Sequence, residues 1–304
     1  MNADNLKKEI KRIRIGHVAL LLAGVFIAFS ILGSVLLFAG GWRFGSLAGI
    51  NLSDHRQSVR FGPSQTYDVN DRKELDLEGV DAIRIVTVSD DPVISAGGTK
   101  VVAQLKGRSI SSGGPVSLDA RKSGSTLIIE VKYPASSSRI DTALTITIPE
   151  SFAGDLQVST TSGDVAADGL PFRLGSVSLQ SVSGNIDFST AGYSKLSAGT
   201  VSGSIHLAGI AAETHASTTS GDVSLDYAAY KTTTVSTVSG SVIARIPDAE
   251  GFTVDFTSTS GDFTSSHPAL PVNGAEHRFR GTANQGDATL KVNTTSGDMD
   301  VYGK

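Results

Sequence analysis

The chain has no cysteine among its 304 residues. That excludes disulfides, thiolate nucleophiles, cysteine metal sites and a lipidated N-terminal cysteine. Aromatic residues are sparse, at 6 %, with a single Trp, so broad stacking platforms for sugars or bases are scarce. Charge is modest: 26 basic against 30 acidic side chains, net −4. It is also uneven, because Asp155–Lys304 carries 8 basic and 15 acidic residues. Such a stretch is a poor nucleic-acid binder, since phosphate affinity needs clustered Lys and Arg. The six histidines (His17, His55, His206, His215, His267, His277) are scattered, with neither HExxH nor His-x-His spacing.

What the chain does have is a short phrase that returns seven times. Its glycines are Gly163, Gly184, Gly203, Gly221, Gly240, Gly261 and Gly297, each preceded by Ser and followed by Asp, Asn or Ser. The intervals are 21, 19, 18, 19, 21 and 36 residues, the last close to two ordinary ones. A fixed period near 20 residues marks a stacked repeat.

The flanks are regular too. Seven before each glycine stand Leu156, Val177, Leu196, Thr214, Thr233, Val254 and Leu290; five before, Val158, Leu179, Ala198, Ala216, Val235, Phe256 and Val292. Three before, only Thr or Ser occurs: Thr160, Ser181, Thr200, Thr218, Thr237, Ser258 and Thr294. Two after come Val165, Ile186, Ile205, Val223, Val242, Phe263 and Met299. Each arm alternates with period two, as a half-buried strand does. The inward phase slips by one residue at Ser-Gly, which predicts a corner where glycine supplies unusual backbone angles. The expected fold is all-β: a β-solenoid or β-helix-like stack of 18–21-residue repeats.

In chain order, residues 1–17 form a basic tail expected in the cytoplasm. Val18–Ala39 is 22 residues without a charge, long enough as a helix to cross a bilayer core of about 30 Å. With Trp42 at its outer flank and Lys7, Lys8, Lys11, Arg12 and Arg14 inside, it reads as an uncleaved signal-anchor helix over 18–41, N-terminus cytoplasmic. A cleaved signal peptide is the competing reading. Residues 42–74 read as a juxtamembrane spacer. Strands are expected from Leu75, and 75–155 is read as an N-terminal β segment that starts and caps the stack, with 156–304 as the Ser-Gly repeat region. His267–Gly274 holds two prolines, so it is expected to project as a loop.

These features resemble a known group. A basic N-terminus and one span precede a β segment ending LTITIPESFAGDLQV (Leu144–Val158), then T-x-S-G-D and V-S-G-N/S turns, then GDATLKVNTTSGDMDVYG. The set is similar to the bacterial "putative adhesin" β-strand-repeat family of unknown function, which includes LiaG-like membrane-anchored proteins. The resemblance implies an extracytoplasmic β-solenoid-like domain linked to the cell envelope, and it brings no catalytic residues.

Several patterns invite chemistry. Within the chain, every repeat with Asp after the glycine (Asp164, Asp222, Asp262, Asp298) has a Thr two before that glycine, and every repeat with Asn or Ser has a Val there. This reads as a Thr–Asp hydrogen bond across the corner. A calcium ladder would need six to eight oxygens per ion, and two rungs without Asp separate Asp164 from Asp222. The inward Thr/Ser column has no matching base; its hydroxyls are expected to satisfy one another and the backbone. Asp187 and His206, each three after a glycine on adjacent rungs, form the most enzyme-like pair, expected about 5 Å apart. The outward columns, such as Gln157, Ser178, Ser197, His215 and Thr234, are small and polar. Tyr193, Tyr227 and Tyr230 are the nearby candidates for sugar stacking.

The sequence thus assigns no catalytic, cofactor or metal residues; the seven glycines are structural corners. It predicts a non-enzymatic, single-pass membrane protein acting as an envelope adhesion or scaffold module. The partners expected are the membrane through Val18–Ala39 and an envelope glycan or protein, with no nucleic acid. The alternatives are a glycan-active β-helix enzyme and an accessory subunit of a membrane signalling complex.

Overall fold

Period-two alternation requires each arm to bury every second side chain, and the inward columns do so. Leu156, Val158, Val177, Leu179, Leu196, Ala198, Val165, Ile186 and Ile205 are all 2 % exposed or less. The computed structural model describes residues 64–134, 137–210, 212–229, 231–272 and 277–304. Val18–Ala39, His17 and His55 lie outside these. Among the described residues everything regular is β-strand, and no helix is long and apolar enough to cross a membrane.

The strands form two columns around one core. In chain order the first are β1 (Gln65–Leu75), β2 (Ala82–Val86), β3 (Pro92–Ala96), β4 (Val101–Ser111), β5 (Ser117–Ser123), β6 (Thr126–Lys132) and β7 (Ser137–Ile148). The repeats supply β8 (Asp155–Ser159), β9 (Val165–Gln180), β10 (Ile186–Gly199), β11 (Ile205–Ile210), β12 (Glu213–Ser217), β13 (Val223–Ala229), β14 (Thr232–Ser236) and β15 (Val242–Ile246). The last are β16 (Phe252–Thr257), β17 (Phe263–Ser265), β18 (Arg278–Ala283), β19 (Ala288–Asn293) and β20 (Met299–Gly303). β1 occupies part of the stretch expected as a spacer, so strand structure begins before Leu75.

Arms before the glycine pair in parallel and in register with one another, and so do arms after it. Leu156 faces Val177, and Leu196 faces Thr214; Ile186 faces Ile205, which faces Val223. β9 and β10 run on from the second arm of one repeat into the first arm of the next, with the register shifting at Thr190. Each rung therefore sets its side chains directly over those of the rung below.

Both ends depart from chain order. At the N-terminal end β6 and β8 lie on opposite sides of β2, and β7 and β9 on opposite sides of β3. The rung β2/β3 is laid down first, β6/β7 is added outside it, and the chain then returns past it to β8. At the C-terminal end β19 lies between β14 and β16, and β20 between β15 and β17. The final rung fills a slot left one rung in from the end. The 36-residue interval is therefore not two successive rungs: it holds the end cap and a return into the stack. Antiparallel strands close the ends, β4, β1 and β5 at one and β18 at the other.

His267–Gly274 was expected to project. Instead its described part folds back over the C-terminal end. His267 is fully buried, edge-on to Phe252 at 5.0 Å, and Val272 bridges Ser265. An end rung with open edges would expose apolar surface and unpaired backbone, and this segment covers both.

Candidate functional site: the corner ladder

The corner is built from three columns. A Cβ on Gly203 would overlap the carbonyl oxygen of Gly184, and the same holds for Gly184 over Gly163, Gly221 over Gly203, Gly240 over Gly221, Gly297 over Gly240 and Gly261 over Gly297. None of the seven glycines has a positive φ. Glycine is required by close stacking of backbone on backbone, and not by unusual angles as the phase slip implied.

The hydroxyl three residues before glycine fills the space beneath. Thr160, Ser181, Thr200 and Ser258 accept the N–H of their own glycine at 3.1, 2.8, 3.2 and 2.7 Å. Ser181, Thr200 and Thr218 donate to the glycine carbonyl of the preceding rung at 3.3, 3.0 and 3.0 Å. The hydroxyls satisfy the backbone, not one another. The Oγ1 atoms of Thr237 and Thr294 are buried in the same column without a partner.

The residue after glycine forms the outer ladder. Its side-chain oxygen accepts the backbone N–H of its counterpart on the next rung: Asp164 from Asn185 at 2.6 Å, Asn185 from Ser204 at 2.9 Å, Ser204 from Asp222 at 3.3 Å, Asp222 from Ser241 at 2.9 Å and Asp298 from Asp262 at 2.9 Å. This explains why only Asp, Asn and Ser occur there: each offers a short acceptor. The expected Thr–Asp bond across the corner is not made by Asp164 or Asp222, which bond along the stack instead. No group of three or more His, Asp or Glu converges among the described residues.

The ladder starts one rung earlier than the Ser-Gly phrase. Thr87-Val88-Ser89-Asp90-Asp91 follows the T-V-S-G-S pattern of Thr237–Ser241 with Asp in place of glycine, and Asp91 accepts the N–H of Asp164 at 2.8 Å. A search keyed on Gly passes over it; the Thr-Val-Ser triplet was the available signal. The rung outside Asp90, β6/β7, carries no Ser-Gly corner, and the Asp90 side chain meets Tyr133 and Thr142 of that rung instead. It is 1 % exposed and accepts from the hydroxyls of Tyr133 and Thr142, with Thr87 at 3.3 Å. Tyr133 also accepts the N–H groups of Val88 and Ser89 at 3.1 and 3.2 Å. Burial, and then the Asp90 carboxylate, hold the Tyr133 hydroxyl above its ordinary pKa.

Asp187 and His206 are register neighbours on the outer face, as their positions required. No hydrogen bond or ion pair joins them, and no third group orients either one. Tyr193 and Tyr227 are core residues, 1 % and 2 % exposed, so they are not sugar platforms. Tyr193 bonds Thr214 at 2.8 Å, and burial raises the pKa of both tyrosines. Tyr230 lies outside the described residues. His215 is on the outer face, its pKa lowered by partial burial and by Lys195. His277 meets the Gly261 carbonyl at 3.0 Å and Asp262 at 3.6 Å.

The family described as Toastrack DUF4097 matches residues 75–216 and again 153–302. The chain belongs to the toastrack family. Solved structures similar to this toastrack chain include one described as a putative cell adhesion protein from Clostridium sporogenes, at 12 % identity, covering 78 % of this chain and all of that one, TM-score 0.37. Another, described as a putative adhesin from Bacteroides fragilis, has 15 % identity, 79 % and 96 % coverage, and TM-score 0.38. A third, described as a putative lipid binding protein from Parabacteroides distasonis, has 13 % identity, 79 % and 97 % coverage, and TM-score 0.36. The comparison with curated proteins gives no match.

Proposed function

We propose that this toastrack protein is a non-enzymatic envelope module, anchored by Val18–Ala39 and holding its β stack outside the cytoplasm for adhesion or scaffolding. The observation that carries this reading is the corner ladder. Two of the recurring columns, the buried hydroxyl three before glycine and the acceptor one after it, bond mainly backbone N–H and C=O groups. Repetition here serves length and stiffness. What is left for a partner is the outward face, where Gln157, Ser178, Ser197, His215 and Thr234 form a polar row at the strand spacing of about 4.8 Å. Such a face suits extended, repetitive ligands such as envelope glycans through many weak contacts.

The test is pelleting of the full chain with purified cell-wall sacculi, beside protease treatment of intact cells. Co-sedimentation above a β-protein control and cleavage from outside are expected; an untouched chain, or no pelleting, overturns the reading. A glycan-active enzyme is the second reading, favoured only by the Asp187–His206 juxtaposition. It predicts release of reducing ends that Asp187→Ala abolishes.

A further inference from the structure

The slot that takes the C-terminal rung is specific for this chain, and its occupant is held by a strained hinge. β19/β20 lies between β14/β15 and β16/β17 although it follows both in sequence. To reach the slot, the chain leaves β18 on one side of β16 and crosses to the other through Asn284–Asp287. Asn284 and Gln285 both adopt left-handed conformations, with φ of 50° and 49°; Asn enters that region readily and its amide bonds the Asp248 and Glu250 carbonyls, so the strain falls on Gln285. The crossing also presses Gly286 against Gly251, so closely that neither position has room for a Cβ. Connections that cross in this way are rare in folded chains.

A second observation falls on the same slot. Among the described residues, the buried hydroxyls of Thr233 and Thr237 on one rung and of Thr294 on the other, the two rungs that meet there, have no partner. The ladder is complete at Thr200 and incomplete where the last rung enters. Yet the slot's chemistry is exacting. It needs a Ser-Gly corner to stack between Gly240 and Gly261, and inward apolar residues such as Leu290, Val292 and Met299. It also pairs Lys291 in register with Asp255, and Thr264 donates to Asp300. Only the same rung meets all of these.

We propose that the partner for this slot is a second copy of the chain: β19/β20 exchanges reciprocally between two copies, opening the Asn284–Asp287 hinge. Exchange restores every contact of the slot and relieves the hinge, and short strained hinges favour it over closure on the same chain.

The absence of cysteine makes a clean test. Ser236 and Asn293 are register partners on adjacent strands, within reach of a disulfide. Full-length Ser236→Cys and full-length Asn293→Cys are unfolded together in urea, refolded and oxidised. A mixed disulfide joining the two chains, with doubled mass by sedimentation, is expected. Gln285→Gly, which relieves the hinge, should lower the cross-linked fraction at least threefold. The double variant Ser236→Cys/Asn293→Cys in one chain controls for geometry. If it closes its disulfide within the monomer while the mixture gives no cross-chain product, the proposal is overturned.

Discussion

The two ends of the stack use the same topological device and close it with opposite chemistry. At each end one rung is set down out of order, so that the terminal rung is locked by chain passing on both sides of its neighbour. The N-terminal end is closed by a polar plug: Asp90, Tyr133, Thr87 and Thr142, inside a long antiparallel β1–β4–β7 arrangement. The C-terminal end is closed by rings. Phe263 stacks on Phe279 at 4.2 Å and lies 5.9 Å from Phe256, while His267 seals Phe252. A plug of hydrogen bonds demands complete satisfaction, because a buried polar group without a partner is costly. A lid of rings demands only filled volume. The N-terminal closure is therefore sensitive to chemistry, and the C-terminal one to size.

The largest effect should come from emptying the lid. Phe263→Ala removes a fully buried ring and is expected to cost about 3–5 kcal/mol, read as a lower urea midpoint, whereas Phe263→Leu should recover most of it. Equal losses for both would break the claim that the lid needs volume alone. Between the ends, Gly203→Ala should cost at least about 3 kcal/mol, because its Cβ meets the Gly184 carbonyl. Gly169 offers the contrast. It has φ +59° with open space around it, so its alanine variant pays only the left-handed penalty of about 1–2 kcal/mol. Equal costs would show that corner glycines act through backbone angles after all.

At the N-terminal end, Tyr133→Phe keeps the volume and deletes one oxygen, leaving the Asp90 carboxylate and two N–H groups short of a partner. The expected cost is about 1–3 kcal/mol, and a neutral variant would show that the plug is mere packing. In the hydroxyl column, Thr200→Val should lose about 1 kcal/mol or more, since Thr200 both accepts and donates. Thr237→Val should be neutral or stabilising, because its hydroxyl is already unpaired. Parallel denaturation curves of the two variants decide the matter.

The stack was legible in the sequence because period, alternation and phase slip are all written in residue types. Leu156, Val158 and Val165 could only face one core. The out-of-order rungs were not legible, since β19 carries the same pattern whether it stacks above β16 or below it. Register within a repeat is local, while rung order depends on which edge is free when the strand arrives. The Asp90 rung was hidden by one substitution in its phrase. Tyr193 misled because it lies at the second corner, where the register shifts and alternation breaks; Tyr227 continues the inward alternation of Val223 and Leu225, so its burial was legible in the sequence.

The smallest effect separates the middle of the stack from both closures. His215 sits on the outer face in register between Ser197 and Thr234, and partial burial together with Lys195 lowers its pKa. The folded chain thus binds its proton less readily than the unfolded chain. Stability contributed by neutral His215 is present above the ordinary histidine range and is lost as pH falls toward the lower folded value. The urea midpoint should therefore decline slightly between about pH 7 and pH 5, and His215→Gln should flatten part of that decline. The substitution touches neither the plug nor the lid. If the slope is unchanged in His215→Gln, the acid sensitivity belongs to the ends, and the middle rungs are indifferent to pH.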